Sequence, residues 1–176
     1  MTRRLFFIGA VLALAACTST KVPTADGGDT LTVIYLVRHA EKQTGTDPSL
    51  TVAGQERAAL LARELSDAGL THIHSTEYRR TRETAMPVAQ FTGLPVSLYD
   101  PRDLPGFAAR LTEEPGTHLV VGHSNTTPAL VAALGGEPGT PIYEKSEYDR
   151  LYVVTIPAEG AVATELRRYG AAYIPE

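Results

Sequence analysis

A run of seven apolar or β-branched residues, Leu31 to Val37, is the feature that most constrains how this chain folds. A strand without polar alternation is typical of the interior of a parallel sheet, where helices cover both faces. The run stops at Arg38 and His39, whose side chains can both carry positive charge. Because open α/β sheets bind ligands beyond the carboxyl ends of their strands, this pair predicts a binding site. The alternative is an Arg and a His that merely follow a strand at the surface.

Residues 1–30 predict an exported protein with a lipid anchor. Arg3 and Arg4 precede an apolar run, Leu5 to Ala16, which is too short to span a bilayer and is typical of a secretory signal. The run leads into Leu-Ala-Ala-Cys, which resembles the bacterial lipobox, whose cysteine is acylated and becomes the new N-terminus. We therefore expect residues 1–16 to be a signal peptide and Cys17 to be the lipidation site of a periplasmic lipoprotein, attached to a membrane of the bacterial cell envelope. The alternatives are an ordinary signal peptide with an incidental cysteine and a simple membrane anchor.

The cysteine count, the polarity and the charge limit what the mature chain can do. Cys17 is the only cysteine, so the sequence excludes disulfides and cysteine catalysis. Residues 17–30 are polar, which favours a flexible tether, and residues 31–176 are long enough for one domain with an adequate core. The net charge of −4 gives no indication of nucleic-acid binding, and nothing in the sequence indicates an obligate protein partner.

Strand-like and helix-like segments alternate along the domain, which predicts an α/β fold: a three-layer sandwich with a mostly parallel central sheet flanked by helices. The last two segments alternate apolar and polar residues, which favours a closing antiparallel hairpin at a sheet edge. Thr51 is the expected N-cap of the first helix and Gly69 its end, and Ser75 or Thr76 is expected to cap the second. The predicted strands are 31–37, 71–74, 95–99, 117–121, 151–156 and 161–168, and the later helices are about 76–91, 104–113 and 128–134.

Three predicted strand ends carry polar groups. They are Arg38-His39, the segment from Ser75 to Arg80, and Gly122-His123. In a parallel sheet these ends share one edge, so two arginines, two histidines and two helix N-termini converge there. Arginine offers phosphate oxygens a planar fork, and helix N-termini offer backbone N–H donors, so we predict a pocket for a dianion. One histidine in such a pocket can act as a nucleophile through a neutral imidazole nitrogen.

Four segments of the chain resemble the motifs of one family, in the same order. Arg38 to Glu41 resembles an Arg-His-Gly/Ala-Glu motif, and Leu50 to Gly54 resembles a Leu-Thr-x-x-Gly turn. Thr76 to Ala85 resembles a Ser-x-x-x-Arg-Ala-x-x-Thr-Ala helix start, and Val121 to Ser124 resembles a segment around a second histidine. These motifs are typical of the histidine phosphatase superfamily, small branch-1 type, which includes the phosphoglycerate mutase-like enzymes.

The resemblance implies roles for most of the site residues. His39 would be the nucleophile that forms a phosphohistidine, and alignment with the motif selects Arg80 rather than Arg79 or Arg82 as a phosphate clamp. The implied substrate-binding residues are Arg38, Arg80, His123, Ser124 and Asn125.

The chain departs from the family pattern at three places. Ser124 and Asn125 replace the commoner Gly-Gly, which we expect to alter the pocket floor, and Arg57 replaces a common Gln, which we do not expect to affect catalysis. The proton donor has no clear motif. Asp100 falls where the family's acidic residue follows its strand, whereas Asp103 lies close behind and can equally cap the next helix.

We therefore expect a histidine acid phosphatase-like phosphoric monoester hydrolase that acts outside the cytoplasm on a small phosphorylated substrate, without a cofactor or metal. The alternatives are a mutase-like phosphotransferase and a catalytically silent lipoprotein that binds phosphorylated ligands. His72 and His74 lie two residues apart on a strand, but two ligands alone are weak evidence for a metal. We expect these two and His118 to be structural or exposed. The residues expected to serve in packing and in the hairpin are Tyr143, Tyr148 and Tyr152.

Overall fold

The structure, a computed structural model, describes residues 31–175. These residues form a six-stranded sheet with two helices packed on each face. The strands are β1 Thr32–Arg38, β2 His72–Ser75, β3 Val96–Leu98, β4 Thr117–Gly122, β5 Arg150–Ile156 and β6 Ala163–Arg168. The helices are α1 Val52–Glu64, α2 Arg79–Thr92, α3 Leu104–Glu113 and α4 Thr126–Ala133.

The sheet combines four parallel strands with an antiparallel hairpin, in the order β3-β2-β4-β1-β5-β6. β5 runs antiparallel to β1, and β6 runs antiparallel to β5. The predicted mostly parallel sheet with a closing hairpin is confirmed. Arg38 lies in register with Gly122, and Ser75 lies in register with Val121. Three chain segments therefore leave the sheet at the same edge.

The burial of β1 explains why this strand is apolar along its whole length. Ile34 and Leu36 contribute to the core beneath α3 and α4, whereas Val37 and the partly buried Tyr35 contribute to the core beneath α1 and α2. Helices therefore cover both faces of the strand, as its sequence predicted.

The start of α1 was predicted correctly and its end was not. The hydroxyl of Thr51 accepts a hydrogen bond from the third amide of the helix at 3.1 Å, which confirms this residue as the N-cap. The predicted end at Gly69 is wrong, because Leu65 is already the C-cap. Beyond it the amides of Ser66 and Ala68 each bond to the carbonyl three residues back, so the chain tightens before it reaches the glycine.

The predicted caps of α2 are wrong as well. Ser75 is the last residue of β2, and Tyr78 occupies the N-cap position. The hydroxyl of Thr76 cannot serve as the cap because it bonds instead to Thr81 and His123. The hydroxyl of Thr76 therefore takes part in the hydrogen bonds of the pocket and not in those of the helix start.

Among residues 31–175, no helix combines the length and the apolar character that crossing a bilayer requires. The predicted signal peptide, the lipidation site Cys17 and the tether lie outside the described residues.

Candidate active site

His39 follows β1 directly, and hydrogen bonds fix its backbone from two sides. Its amide donates to the carbonyl of Gly122 on β4 at 2.9 Å. The next amide, that of Ala40, donates to Oγ1 of Thr84 on α2 at 3.0 Å. With a side chain that is only 3% exposed, His39 is held at the sheet edge by both the sheet and a helix.

The ring of His39 presents Nε2 as an unprotonated nitrogen. Nδ1 lies 2.8 Å from the carbonyl oxygen of Ala40, and because a carbonyl only accepts hydrogen bonds, the ring proton is on Nδ1. Burial, together with the positive charges of Arg38 and Arg80 and with the nearby His123, lowers the pKa of His39 to about 3. At neutral pH the imidazole is therefore uncharged, the state in which it is a nucleophile.

Arg38 is buried, and backbone carbonyls hold its guanidinium. Nη1 donates to the carbonyls of Glu147 at 3.0 Å and Tyr143 at 3.4 Å, and Nη2 donates to the carbonyl of Glu144 at 2.6 Å. The ring of Tyr148 lies 4.1 Å from Cζ. Within residues 31–175, no group accepts a hydrogen bond from the buried Nε of this arginine.

Arg80, in the first turn of α2, meets His123 at the end of β4. Nη2 of Arg80 lies 3.4 Å from Nδ1 of His123, and Cζ lies 4.4 Å from the ring centroid of Tyr78. Nη1 lies 3.7 Å from the carboxylate of Asp47, whereas the buried Nε finds no acceptor in the described part of the chain. The rings of His39 and His123 are 5.6 Å apart, so the structure brings these predicted residues together.

A relay of hydroxyl groups orients His123. Its Nε2 lies 3.0 Å from Oγ1 of Thr76, which in turn lies 2.8 Å from Oγ1 of Thr81. The second hydroxyl donates to the carbonyl of Tyr78 at 2.8 Å. Because that carbonyl only accepts, each hydroxyl donates onward and Nε2 of His123 carries the ring proton. Burial, and then the charges of Arg80 and Arg38, lower the pKa of His123 to about 4.

Two buried Nε donors close to the site have no acceptor among the described residues. A buried donor without an acceptor costs about 1–3 kcal/mol, and Arg38 and Arg80 each carry one. A phosphate offers several acceptor oxygens, and bonds between arginine and phosphate are charge-assisted and strong. The positive charge of Arg80, close to His39 and His123, makes this a candidate site for a phosphate-like anion.

All of the predicted binding residues except Arg38 line a single cavity of about 310 Å³. His39, Arg80 and His123 form part of its wall, and Ser124 and Asn125 lie beside them. The rest of the wall consists of Lys42, Tyr78, Pro101, Arg102, Thr126 and Glu144.

Asp100, the expected proton donor, follows β3 but lies on a second, larger cavity of about 890 Å³. Its carboxylate forms a bidentate ion pair with Arg102, with the shortest contact at 2.8 Å. Hydrogen bonds from this arginine lower the pKa of Asp100 to about 2, which disfavours proton donation in this arrangement. Asp103 caps α3, because its Oδ1 accepts the amide of Gly106 at 3.0 Å.

Sequence reasoning missed two tyrosines that lie beside the residues of the site. Tyr148 was expected in packing or in the hairpin, but its ring stacks on Arg38 and lies 6.1 Å from the ring of His39. Tyr78 was not singled out, yet it lies edge-on to His123 with ring centroids 5.0 Å apart. No sequence pattern marks either tyrosine. By contrast, Tyr152 is fully buried in the hairpin, as expected.

The remaining histidines form a separate stacked cluster on β2 and β4. Nε2 of His74 lies 3.1 Å from Nδ1 of His118, whose Nε2 bonds to the backbone carbonyl of Glu114 at 2.8 Å. The ring of His72 stacks on that of His118 with centroids 4.6 Å apart. Within residues 31–175, no cluster of three or more His, Cys, Asp or Glu side chains has an arrangement that could hold a metal ion.

Two motif positions have structural explanations. A Cβ on Gly54 would collide with the carbonyl oxygen of Glu41, so this turn requires glycine. Arg57, the departure from the family pattern, forms a bidentate ion pair with Glu41 at 2.9–3.0 Å and donates to the carbonyls of Tyr169 and Ala171. Arg57 therefore connects the segment after His39 to the C-terminal segment.

Comparison with known families identifies one match. Residues 34–101 match the model of the histidine phosphatase superfamily (branch 1). Among curated proteins, the probable phosphoglycerate mutase GpmB of Escherichia fergusonii is 39% identical over 77 residues, and that of Serratia proteamaculans is 38% identical over the same length. Each of these matches covers 39% of this chain and only 35% of the relative.

Solved structures resemble the fold at low sequence identity. The alpha-ribazole phosphatase of Shigella flexneri has a TM-score of 0.65 and 19% identity, and covers 82% of this chain and 100% of that chain. A mycobacterial glucosyl-3-phosphoglycerate phosphatase has a TM-score of 0.62 and 16% identity, covering 81% and 100%. The protein histidine phosphatase SixA has a TM-score of 0.61 and 19% identity, covering 77% and 96%. The family model matches residues 34–101, fewer than half of the residues of this chain, and these solved structures, each below 25% identical, support the fold alone.

Proposed function

We propose that this protein is a phosphatase that hydrolyses phosphomonoesters through a phosphohistidine on His39, as a histidine acid phosphatase-like phosphoric monoester hydrolase. The observation that carries the proposal is that His39, with an unprotonated Nε2, lines the same cavity as Arg80 and His123. This geometry supplies a nucleophile and a receptor for equatorial phosphate oxygens in the same place.

The reaction has two displacements. Nε2 of His39 attacks phosphorus, a P–N bond forms, and the P–O bond to the alcohol breaks. Arg38, Arg80 and His123 stabilise the charge on the equatorial oxygens during the transfer. Water then cleaves the P–N bond, which releases inorganic phosphate and restores the neutral imidazole. The negative charge of the bound phosphate raises the pKa of His123 and so favours its donation of a hydrogen bond.

Asp100 is our proposed proton donor, on the condition that Arg102 releases it. Arg102 lines both cavities, so a phosphate bound near His39 attracts this arginine away from Asp100. The freed carboxyl then has a higher pKa, protonates the leaving alcohol and later removes a proton from the attacking water.

Trapping the intermediate tests the function. Quenching a reaction with labelled substrate is expected to leave label on His39 in an acid-labile, base-stable linkage. His39→Ala is expected to lose both the label and the turnover of p-nitrophenyl phosphate, and His123→Ala is expected to reduce turnover severely. Label on Ser124, or turnover by His39→Ala at the wild-type rate, would contradict the mechanism.

A mutase-like phosphotransferase is the second candidate, because the curated relatives are named as probable phosphoglycerate mutases. A mutase must retain its intermediate while the monoester reorients, which favours long covering loops. The segment between Ala40 and Ser49 is short, so we rank this candidate lower. Added acceptor alcohols distinguish the two, because only a transferase forms new phosphomonoesters instead of inorganic phosphate.

We propose that the enzyme acts outside the cytoplasm as a lipoprotein anchored through Cys17. The basic start, the apolar run and the lipobox-like end of the segment 1–16 support this location. Phosphates of the cell envelope or scavenged phosphate esters are then the proposed substrates. Cys17→Ser is expected to abolish acylation and to release the processed protein from membranes, and a wild-type protein without lipid would contradict the anchor.

A further inference from the structure

The loop from Tyr143 to Glu147 orients Arg38. Three of its carbonyl oxygens accept hydrogen bonds from the Nη groups of Arg38, at 3.4, 2.6 and 3.0 Å. Because the guanidinium is planar and rigid, contacts at both Nη groups also fix the direction of the Nε–H bond. Nε is the donor that finds no acceptor within the described chain, so the loop determines where that donor points.

The backbone amide of Glu147 donates to the carbonyl of Tyr143 at 2.9 Å, and the carboxylate of Glu147 adds a second bond across this loop. Its Oε2 accepts the amide of Tyr143 at 2.9 Å, which joins the two ends of the loop. Arg150 donates Nε to Oε1 at 2.6 Å and Nη2 to Oε2 at 3.1 Å, and Arg168 adds a bond to Oε1 at 3.2 Å. The side chain of Glu147 is only 2% exposed. Burial alone would raise the pKa of Glu147, but the hydrogen bonds, those of Arg150 first, lower it on balance and keep the group ionised.

Arg150, the first residue of β5, is itself held in place by hydrogen bonds. It donates Nη1 to the carbonyl of Thr140 at 2.7 Å and to the hydroxyl of Tyr152 at 2.9 Å. A buried ion pair is weak evidence for a contribution to stability, because desolvation offsets the attraction between the charges. The ion pair between Glu147 and Arg150 is therefore better explained by the loop that it holds in position than by a contribution to the stability of the fold.

We propose that Glu147 is a positioning residue for Arg38. Its carboxylate, fixed by Arg150, holds the loop carbonyls that direct Nε of Arg38 toward a bound phosphate. The effect on turnover rests on the proposed phosphatase function, whereas the effect on phosphate binding does not.

Glu147→Gln tests the proposal, because it keeps the size of the side chain and removes its charge. A misplacement of about 1 Å in a site can cost about 100-fold in rate. We therefore expect kcat/KM for p-nitrophenyl phosphate to fall about 100-fold, and the affinity for inorganic phosphate to fall in parallel. Thr92→Val is the control, since it removes a hydroxyl that donates to the carbonyl of Val88 near the end of α2, outside the network of Arg150 and the loop. It is expected to lower Tm and leave both parameters unchanged.

A double-mutant cycle with Arg38→Ala separates positioning from general destabilisation. If Glu147 acts through Arg38, adding Glu147→Gln to Arg38→Ala causes no further loss of kcat/KM or phosphate affinity. A full multiplicative loss in that background would overturn the proposal, as would a Glu147→Gln enzyme that behaves like Thr92→Val.

Two provisions keep the test decisive. Should Glu147→Gln not fold, Arg150→Lys enters the same cycle, since it keeps the charge but loses the bidentate contact to Glu147. Should the wild-type protein turn over no phosphomonoester, the proposed function fails. Inorganic phosphate affinity, followed by thermal shift, still decides the role of Glu147 in that case.

Discussion

At the scale of single residues, changing the contact between Asp100 and Arg102 is the most direct test of Asp100 as the proton donor. Arg102→Gln removes the hydrogen bonds that lower the pKa of Asp100, so more of the carboxyl is protonated at a given pH. Alkyl phosphates need a proton on the leaving group, whereas p-nitrophenyl phosphate hardly does. We expect Arg102→Gln to raise the ratio of alkyl phosphate to p-nitrophenyl phosphate turnover, a ratio in which any change in phosphate binding cancels.

The control for this prediction is Asp100→Asn. It is expected to lower the same ratio by about two to four orders of magnitude, the usual range of general acid catalysis. Adding Arg102→Gln to Asp100→Asn is then expected to change nothing. If the ratio responds to Arg102→Gln equally in both backgrounds, Arg102 acts on the substrate and not on Asp100.

The residues of the site differ in how far the sequence could predict them. His39 and His123 directly follow strands, and Arg80 lies in a helix-start motif, so pattern and resemblance located them. Tyr148 lies in the segment before β5, between the ion-paired Glu147 and Arg150. Its contact with Arg38 joins two segments that are far apart in sequence, so no local pattern predicts it. The contact between Asp100 and Arg102 also escaped prediction, because a side-chain pairing two residues apart leaves no periodic signal.

At the scale of secondary-structure elements, the segment before α2 contributes a hydroxyl to the pocket. Thr76 bonds to His123 and does not cap the helix. Thr76→Val removes the hydroxyl that accepts Nε2–H of His123 and leaves that partly buried donor without its partner. Such a loss costs about 1–3 kcal/mol, which corresponds to roughly tenfold or more in kcat if the imidazole also loses its orientation.

Thr92→Val is the matched control for the prediction at Thr76, since it lies on the same helix and loses a hydroxyl bonded to the carbonyl of Val88. Both variants are expected to lower Tm, and only Thr76→Val is expected to lower kcat and phosphate affinity. Equal kinetic effects of the two variants would show that the relay from His123 does not matter. Sequence analysis located α2 but misplaced its start, because it treated Ser75 and Thr76 as caps when their hydroxyls are used elsewhere.

At the scale of the whole molecule, buried and partly buried histidines link stability to pH. Burial lowers the pKa of His74 and His123 to about 4, lowers that of His39 to about 3, and lowers that of His118 as well. In the unfolded chain these groups return to about 6.5, so between these limits the unfolded state binds more protons than the folded state. The stability they confer is complete above about pH 6.5 and is lost as the pH falls toward 4 and then 3.

His74→Gln tests this link away from the active site. His74 faces His118 and His72 on the sheet, and from α3 it faces Arg110, whose charge also lowers its pKa. We expect the free energy of unfolding, measured in urea from pH 7.5 to pH 4.5, to fall less steeply with acid in His74→Gln, because one proton fewer is taken up on unfolding. Each unit of pKa shift corresponds to about 1.4 kcal/mol, so the difference should be clear at pH 5.

Inorganic phosphate gives the complementary effect: it raises the pKa of His123 and so flattens the acid limb without altering the contribution of His74. An acid limb of the same slope in wild type and His74→Gln would show that the stacked histidines do not set the acid stability of this fold.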